Sequence, residues 1–233
     1  MKKPIAILFT LFLLTASFGQ TNEESHQLCV INILGAKVYE KPTFDSKTLA
    51  HLPVGKTVVI EKAVDSQEIL KIGNGFSLKG NWIKPKGING FVFSSDLTDK
   101  KAEIGKNQFG HNFINVLGSL IEKKEEEKMV KTDQGEFPKH FEYKFYENGI
   151  YTYTSWDGCF DHVTEYKNLS LSEVYHQMVS DYGIMMNGNE FQVPMFKEKS
   201  GNTLKFEGGG ATEDLQIEIK DNGTIVVSSY DCT

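Results

Sequence analysis

Apolar and polar residues alternate in the second half of the chain, and turn residues separate the alternating runs. Phe141 to Tyr146 alternates aromatic with polar residues, and Ile150 to Thr154 continues the pattern after Asn148-Gly149. Leu215 to Ile219 is followed in the same way by Asn222-Gly223 and a second run. An Asn-Gly pair between two such runs is the strongest short signal for a β-hairpin. The pattern therefore predicts two antiparallel hairpins.

A different spacing of apolar residues indicates helices. Ser170 to Glu173 has the Ser-x-x-Glu pattern of a capping box, and the apolar residues that follow recur at helical spacing up to Gly183, where a helix would end. A shorter helix is predicted over His111 to Leu117, ending near Gly118. The charged run from Glu122 to Lys128 either extends that short helix or forms an exposed strand.

The two predicted hairpins share further features. In each, an acidic-Asn-Gly turn leads to a six-residue strand and then to an aromatic residue, an aspartate and a cysteine, with one additional glycine in the first copy. A candidate helix precedes each copy. Residues 109–233 are therefore predicted to form an α+β domain with an antiparallel sheet. The likeness arises either from duplication of a helix-plus-β-meander unit or from chance convergence.

The first half has shorter apolar runs, separated by proline and glycine. Pro42 fixes the backbone in an irregular loop, Pro53-Val54-Gly55 is typical of a tight turn, and Thr57 to Ile60 is β-branched, which suits a strand. Short strands interrupted by such turns predict a small closed sheet. The polar, lysine-rich segment that follows, residues 99–108, is predicted to link two domains.

One segment combines these turns and apolar positions in a particular order. Its residues are Val38-Tyr39-Glu40-Lys41-Pro42, Ser46, Leu49, Leu52-Pro53-Val54-Gly55, Val58-Val59-Ile60, Trp82-Ile83-Lys84, Gly90-Phe91-Val92 and Leu97. This order resembles the bacterial SH3 (SH3b) domain. The resemblance implies an SH3-like small β-barrel over residues 30–98, so the expected fold class of the whole chain is mainly β. The sequence departs from the family at Ala36 to Tyr39, where an arginine is usual, and in the long segment from Asp65 to Gly80.

The resemblance also implies a binding role. A small barrel of this kind offers a shallow groove in which aromatic side chains contact peptide or glycan, so Tyr39, Trp82 and Phe91 are the candidate ligand-binding residues. The implied partner is peptidoglycan or an envelope protein or peptide. Trp82 and Phe91 also fit core positions, because the residues around them alternate. Tyr39 stands beside polar residues and replaces the usual arginine.

The beginning of the chain has the pattern of an export signal. Lys2 and Lys3 precede an apolar run from Ile5 to Leu14, and small residues lie before Gly19 and Gln20. This predicts a cleaved signal peptide over residues 1–20. The alternative is a membrane anchor, which would need about 20 apolar residues. We therefore expect a secreted or periplasmic protein with no membrane insertion after cleavage.

Composition narrows the partners further. The 233-residue chain has 25 basic residues, all of them lysine, against 31 acidic residues, and its formal net charge is −6. Nucleic acid and anionic lipid surfaces need a basic footprint, so neither is expected as a partner. The absence of arginine also removes the planar group that binds phosphate or carboxylate through two hydrogen bonds.

Three cysteines in an exported protein suggest one disulfide and one remaining thiol. Cys159 and Cys232 follow equivalent hairpins, so neighbouring return strands would bring them together. We expect a Cys159–Cys232 disulfide. A bond from Cys29 to either partner is the alternative.

No set of residues matches a catalytic motif. Cys159 precedes His162, but it ends a predicted strand and is expected to be oxidised, which removes it as a nucleophile. Asp157, Asp161 and Asp231 would form a carboxylate pair if the hairpins adjoined, and exposed turn positions also explain them. The six histidines lack metal-ligand spacing, and the glycine-rich run lacks the lysine of a phosphate loop. No metal site and no cofactor is predicted.

Together these patterns favour a non-catalytic extracytoplasmic binding protein, in which an SH3b-like module docks on cell-wall material or an envelope protein. One alternative is a cell-wall hydrolase of unfamiliar type. Another is an inhibitor or assembly factor that acts through the C-terminal domain.

Overall fold

The protein folds mainly as antiparallel β-sheet, as the strand and turn patterns predict. The structure is a computed structural model, and it describes residues 26–108, 110–133, 135–186 and 190–232. The predicted signal peptide, residues 1–20, lies outside the described residues. Within these ranges no helix is long and apolar enough to cross a membrane.

Nine short strands and one 3-10 turn form the N-terminal module, which we define as residues 27–98. Five of the strands make one sheet in the order β8-β7-β4-β1-β9, and the others form the hairpins β2–β3 and β5–β6. The elements are β1 (Gln27–Val30), β2 (Ala36–Tyr39), β3 (Thr48–Leu52), β4 (Thr57–Val64), β5 (Ile69–Gly73), β6 (Phe76–Lys79), β7 (Trp82–Pro85), β8 (Val92–Phe93), the 3-10 turn (Ser94–Asp96) and β9 (Leu97–Thr98).

The interior of this module is built from the apolar residues that alternate along its strands. The predicted turn at Pro53 closes with a hydrogen bond from Lys56 N to Pro53 O of 3.1 Å, and Gly55 takes a φ of 79°, which glycine adopts without strain. The buried cluster comprises Val30, Ala36, Val38, Leu52, Val58, Ile83, Val92 and Leu97.

The long segment from Asp65 to Gly80 joins the module to the rest of the protein. It contains the hairpin β5–β6, whose residues Phe76 and Leu78 are buried in a second apolar cluster rather than in the module's own core. The Phe76 ring lies 5.6 Å from the ring of Tyr175 and 5.9 Å from that of Phe206, between ring centroids. The segment that lengthens the module therefore packs it against the C-terminal half.

The C-terminal half is dominated by an eight-stranded antiparallel sheet. Its strand order is β12-β13-β14-β15-β21-β20-β19-β18. Two small two-stranded sheets, β10–β11 and β16–β17, lie beside it, and β10 falls within the predicted linker. The elements are β10 (Glu103–Lys106), β11 (Asn112–Asn115), β12 (Leu120–Thr132), β13 (Gly135–Tyr146), β14 (Gly149–Trp156), β15 (Cys159–Tyr166), α1 (Leu171–Tyr182), β16 (Ile184–Met186), β17 (Glu190–Gln192), β18 (Met195–Ser200), β19 (Thr203–Glu207), β20 (Glu213–Ile219) and β21 (Ile225–Cys232).

The predicted helix and both predicted hairpins are confirmed. The hairpins are β13–β14 and β20–β21. Helix α1 begins with the predicted capping box, because Ser170 Oγ accepts a hydrogen bond from Glu173 N at 3.3 Å and Ser170 N donates to Glu173 Oε2 at 2.7 Å. The helix ends at Tyr182, and it buries Val174 and Met178 completely.

The second predicted helix, over His111 to Leu117, is wrong. Its centre is the strand β11, which pairs with β10. Contacts with α1 decide this, since Gln177 donates to Ile114 O at 3.0 Å and accepts from Val116 N at 2.8 Å, and Ser180 Oγ accepts from Ile114 N at 3.0 Å. These side chains give the strand's backbone the partners that a helix would otherwise supply.

The proposed duplication is weakened by the same finding, because only the second hairpin is preceded by a helix. The charged run from Glu122 to Lys128 lies in β12, so of its two predicted forms the strand is correct.

The disulfide between Cys159 and Cys232 is confirmed. The sequence analysis expected the two return strands to be neighbours. In the structure Cys159 instead begins β15, which lies between the return strands β14 and β21. The two cysteines are directly opposite in the β15–β21 pair, so the bond joins the ends of adjacent strands. Cys29 is the free cysteine, half-buried in β1, and burial raises the pKa of its thiol.

Two polar contacts also join the N-terminal module to α1. Thr98 Oγ1 donates a hydrogen bond to Glu173 Oε1 at 2.5 Å, and His176 Nε2 lies 3.3 Å from Asp96 Oδ1. Both pairs are buried or nearly so. The helix therefore lies between the module on one side and the large sheet on the other.

Candidate functional site

The three residues predicted to bind ligand in the N-terminal module lie close to one another. Tyr39 is half-buried, and its ring centroid lies 5.3 Å from that of Trp82. Phe91 is half-buried and pairs with Tyr39 through two backbone hydrogen bonds of 2.7 Å. The structure thus brings all three residues to one place in the module.

Trp82 has a structural role in this group. It is 1% exposed, and its indole N–H donates to Glu68 Oε2 at 2.8 Å. Phe44 and Phe93 pack on the same ring, with centroid distances of 4.9 and 5.1 Å. Trp82 is therefore an interior residue that packs against the ring of Tyr39, whereas Tyr39 and Phe91 are partly exposed.

A larger concave site lies against the eight-stranded sheet. Strand register divides the sheet into two faces, because residues directly opposite each other on neighbouring strands point to the same side. Tyr151, His162 and Ser229 share what we call the inner face, which is also the face that packs against α1. Tyr143 and Thr152 belong to the outer face.

The inner face, the end of α1 and β11 line a cavity of about 500 Å³ that is open to solvent on one side. That volume lies in the range of small-molecule sites in proteins. Polar side chains make up most of the lining. The residues are Phe113, Ile114, Asn115, Leu117, Lys144, Tyr146, Tyr151, His162, Thr164, Gln177, Asp181, Tyr182, Thr212, Ser229 and Asp231.

A chain of three polar side chains crosses three neighbouring strands at this cavity. The hydroxyl of Tyr151 lies 2.8 Å from His162 Nδ1, and His162 Nε2 lies 3.3 Å from Asp231 Oδ1. Burial raises the pKa of Tyr151 above its ordinary value, with the charges of nearby acidic groups acting in the same direction. The tyrosine therefore stays a neutral hydroxyl that both donates and accepts.

The end of α1 provides a second polar group. Gln177 Nε2 donates to Asp181 Oδ1 at 2.9 Å, and Ser229 Oγ donates to Tyr182 Oη at 3.1 Å. Asp181 belongs to the exposed residues, but the protein around the cavity displaces bulk water from its carboxyl group, and this raises the pKa of Asp181 to about 7. Burial likewise raises the pKa of Tyr182 to about 12.

The one lysine at the cavity is already paired. Lys144 Nζ lies 2.7 Å from Glu142 Oε1 and 5.3 Å from the centroid of the Tyr151 ring. Lys123 Nζ lies 2.8 Å from the other oxygen of Glu142, and hydrogen bonds from the two lysines lower the pKa of Glu142 to about 2. Glu125 lies 2.7 Å from the same Lys123, so two carboxylates face two lysines and the positive charge of Lys144 is compensated.

Aromatic rings continue along the inner face beyond the cavity. The ring centroid of Tyr153 lies 5.2 Å from that of His162 and 5.9 Å from that of Phe160, and the Tyr153 and Phe160 rings are stacked. All three residues are half-buried. Lysines lie over rings on both faces: Lys128 Nζ lies 5.0 Å above Phe141 on the outer face, as Lys144 lies over Tyr151 on the inner face.

The cysteine and carboxylate candidates for catalysis are not assembled into a site. Cys159 is held in the disulfide, so it lacks the thiolate that a nucleophile needs. Asp157 is exposed in a turn with a φ of 49°. Asp161 points to the outer face, near Lys139 at 3.8 Å, while Asp231 points to the inner face. The carboxylate pair, which the sequence left open as an alternative to exposed turn positions, is therefore not formed.

The sequence patterns indicated His162 only as a neighbour of Cys159, and Asp231 only as a neighbour of other aspartates. They did not indicate Tyr151, Asp181 or Tyr182 as site residues. The alternation within β14, β15 and β21 places Tyr151, His162 and Asp231 on matching positions, but this signal is useful only when the order of the strands is known. Among the described residues, no group of three or more histidine, cysteine, aspartate or glutamate side chains is placed to hold a metal ion.

No protein-family model matches this chain, and neither a curated protein nor a solved structure does.

Proposed function

We propose that this protein is an extracytoplasmic binding protein without catalytic activity. Its SH3b-like module docks on cell-wall material or an envelope protein, and its C-terminal domain holds a small polar ligand in the cavity on the inner face. The observation that carries the ligand-binding part of this proposal is the cavity. It combines a suitable volume with polar groups that converge from three strands and a helix.

The extracytoplasmic location is supported by two independent features. The first 20 residues have the charged, apolar and small-residue order of a signal peptide. The Cys159–Cys232 disulfide is of the kind that forms and persists in oxidising compartments. Secretion or transfer to the periplasm would supply that environment.

The docking role of the module rests on Tyr39 and Phe91. Both are half-buried and paired, so their exposed edges form a small apolar surface with little conformational freedom to lose on binding. The net negative charge of the chain directs this surface toward neutral or cationic partners rather than anionic ones.

Sedimentation with isolated peptidoglycan tests docking directly. We expect the mature chain, residues 21–233, to appear in the pellet with the cell-wall material, and Tyr39→Ser to shift protein to the supernatant. Glu40→Ser is the matched control, because the neighbouring Glu40 is exposed. Wild-type protein that stays wholly in the supernatant would contradict docking on the wall.

Thiol titration tests the hydrolase alternative, which would use Cys159. The unfolded, unreduced protein should contain one free thiol, that of Cys29. A count of three free thiols would restore Cys159 as a candidate nucleophile.

A further inference from the structure

The cavity presents hydrogen-bond acceptors that the protein does not fully use. Asp231 Oδ1 is buried and accepts no hydrogen bond from the described residues, although His162 Nε2 is 3.3 Å away. Asp181 Oδ1 accepts from Gln177. Oδ1 itself is shielded from the cavity, but the Asp231 side chain as a whole is 30% exposed there, so a ligand that brings O–H or N–H donors can bond the accessible part of this carboxylate.

Hydroxyl groups line the same cavity. Tyr151, Thr164, Tyr182 and Ser229 all contribute one, and a hydroxyl can donate and accept at once. A ligand with several hydroxyls of its own can both donate hydrogen bonds to this lining and accept hydrogen bonds from it. A ligand with acceptors alone would leave the aspartate oxygens unsatisfied.

Charge disfavours an anionic ligand. Asp231 brings a negative charge to the cavity, and Asp181, whose pKa is raised to about 7, adds a second one above that pH, while the charge of Lys144 is compensated by nearby glutamates. Placing a phosphate or a carboxylate among these groups would add like charge in a concave site where screening by water is reduced. A neutral ligand or one with an ammonium group meets no such repulsion.

Aromatic rings supply flat apolar surface beside these polar groups. Tyr146, Tyr151 and Phe113 line the cavity, and the stacked pair of Tyr153 and Phe160 extends the surface along the inner face. A pyranose ring combines apolar C–H faces with a rim of hydroxyls. It therefore fits both the rings and the hydroxyl lining.

We infer that the inner-face cavity binds a sugar unit that is uncharged or carries an amine, and that the Tyr153–Phe160 pair extends the site to a second unit. This inference rests on the proposed function, since it names the ligand class of the cavity. One polar edge of the sugar would then hydrogen-bond to the row formed by Tyr151, His162 and Asp231.

Three hexoses that differ in one substituent test the charge requirement: glucose, glucosamine and glucuronic acid. Titration followed by ¹H–¹⁵N NMR should shift amide signals of cavity residues with glucose and glucosamine, and about tenfold more weakly or not at all with glucuronic acid. Cellobiose should bind more tightly than glucose and should also shift the signals of Tyr153 and Phe160. The inference is overturned if none of these sugars shifts cavity signals, or if glucuronic acid binds as tightly as glucose.

Matched tyrosine variants locate the site. Tyr151→Phe removes the hydroxyl at the cavity and should weaken sugar binding by about fivefold to tenfold. Tyr143→Phe removes a hydroxyl on the outer face, where Tyr143 Oη donates to Glu126 at 2.7 Å, and should leave binding unchanged. Equal loss in both variants would contradict the assignment of the inner face.

Sedimentation separates failure of this inference from failure of the proposed function. If the sugars do not bind but the protein still pellets with peptidoglycan, the ligand class is wrong and docking stands. If the sugars bind at the cavity and the protein does not pellet, the sugar site stands and docking on the wall is wrong.

Discussion

Two groups of aromatic side chains in this protein have similar ring spacing and different surroundings. In the N-terminal module, centroid distances range from 4.7 to 5.8 Å among Tyr39, Phe44, Trp82 and Phe93. On the inner face they range from 5.2 to 6.1 Å among Tyr151, Tyr153, Phe160 and His162. The first group surrounds a buried tryptophan, whereas Tyr151 and His162 of the second line a cavity. Ring spacing alone therefore does not identify a binding surface.

The difference follows from what covers the rings. The module is small, and hairpin β2–β3 packs directly on Trp82 through Tyr39 of β2 and Phe44 of the loop between the two strands, so these rings cover one another. The large sheet is wider than the helix that packs on it. Helix α1 covers the inner face near β21, and beyond the helix the rings meet a cavity instead of a second layer. An incomplete second layer is what leaves ring surface for a ligand.

Truncation of the buried tryptophan is expected to have the largest effect. Trp82→Ala removes the largest fully buried side chain and leaves a cavity among three aromatic rings, so the free energy of unfolding should fall by about 3–5 kcal/mol. Urea unfolding followed by circular dichroism measures this. Trp156→Ala is the matched control: Trp156 is 37% exposed, and the loss should be about 1 kcal/mol or less. Equal losses would contradict the interior role of Trp82.

The second prediction concerns the disulfide that fixes the strand end carrying Asp231. Replacing Cys159 and Cys232 together by alanine releases a link across 73 residues and should lower the free energy of unfolding by about 2–4 kcal/mol. The same loss should follow reduction of the wild-type protein. Cys29→Ala is the control and should cost about 1 kcal/mol or less, since this thiol is unpaired and half-buried. A stability unchanged by the double replacement would show that the bond does not hold the sheet.

A smaller effect is expected at the cavity. Tyr151→Phe removes the hydroxyl that lies 2.8 Å from His162 Nδ1 and should lower the free energy of unfolding by about 0.5–1.5 kcal/mol. The main effect of this substitution should be weaker ligand binding rather than lower stability. A loss as large as that of Trp82→Ala would mean that the inner-face rings are interior residues, and the contrast between the two groups would be lost.

The smallest effect is the pH dependence contributed by Asp181. Its pKa is about 7 in the folded protein against an ordinary value of 3.8, so between these values the folded state holds a proton that the unfolded state has released. Stability should therefore fall as pH rises from about 4 to 7. Asp181 is an exposed residue, so water also stabilises its ionised form, which makes the pKa shift, and with it the slope, smaller than burial of the carboxyl group alone would give. Asp181→Asn should flatten this part of the curve in urea unfolding at several pH values, and Asp221→Asn, in an exposed turn, should not. A wild-type slope retained in Asp181→Asn would contradict the raised pKa.

Local signals in the sequence were sufficient where an element depends on its own residues. The Ser170 capping box predicts α1, and the Asn-Gly pairs predict both hairpins, because caps and tight turns are stabilised within a few residues. The helix predicted over His111 to Leu117 failed because its apolar spacing fits a strand as well. Side chains of α1, distant in sequence, then supplied the hydrogen bonds that favour the strand.

The site shows the same division. By itself the sequence determined α1, the two hairpins, the mainly β class and the cysteine pair, and alternation within each strand determined which of its residues share a face. Only the tertiary structure decided that β15 lies beside β21 and that the end of α1 stands over them. The order of strands depends on packing between segments far apart in the chain, which no local pattern encodes. That order brings Tyr151, His162, Asp181 and Asp231 to one cavity.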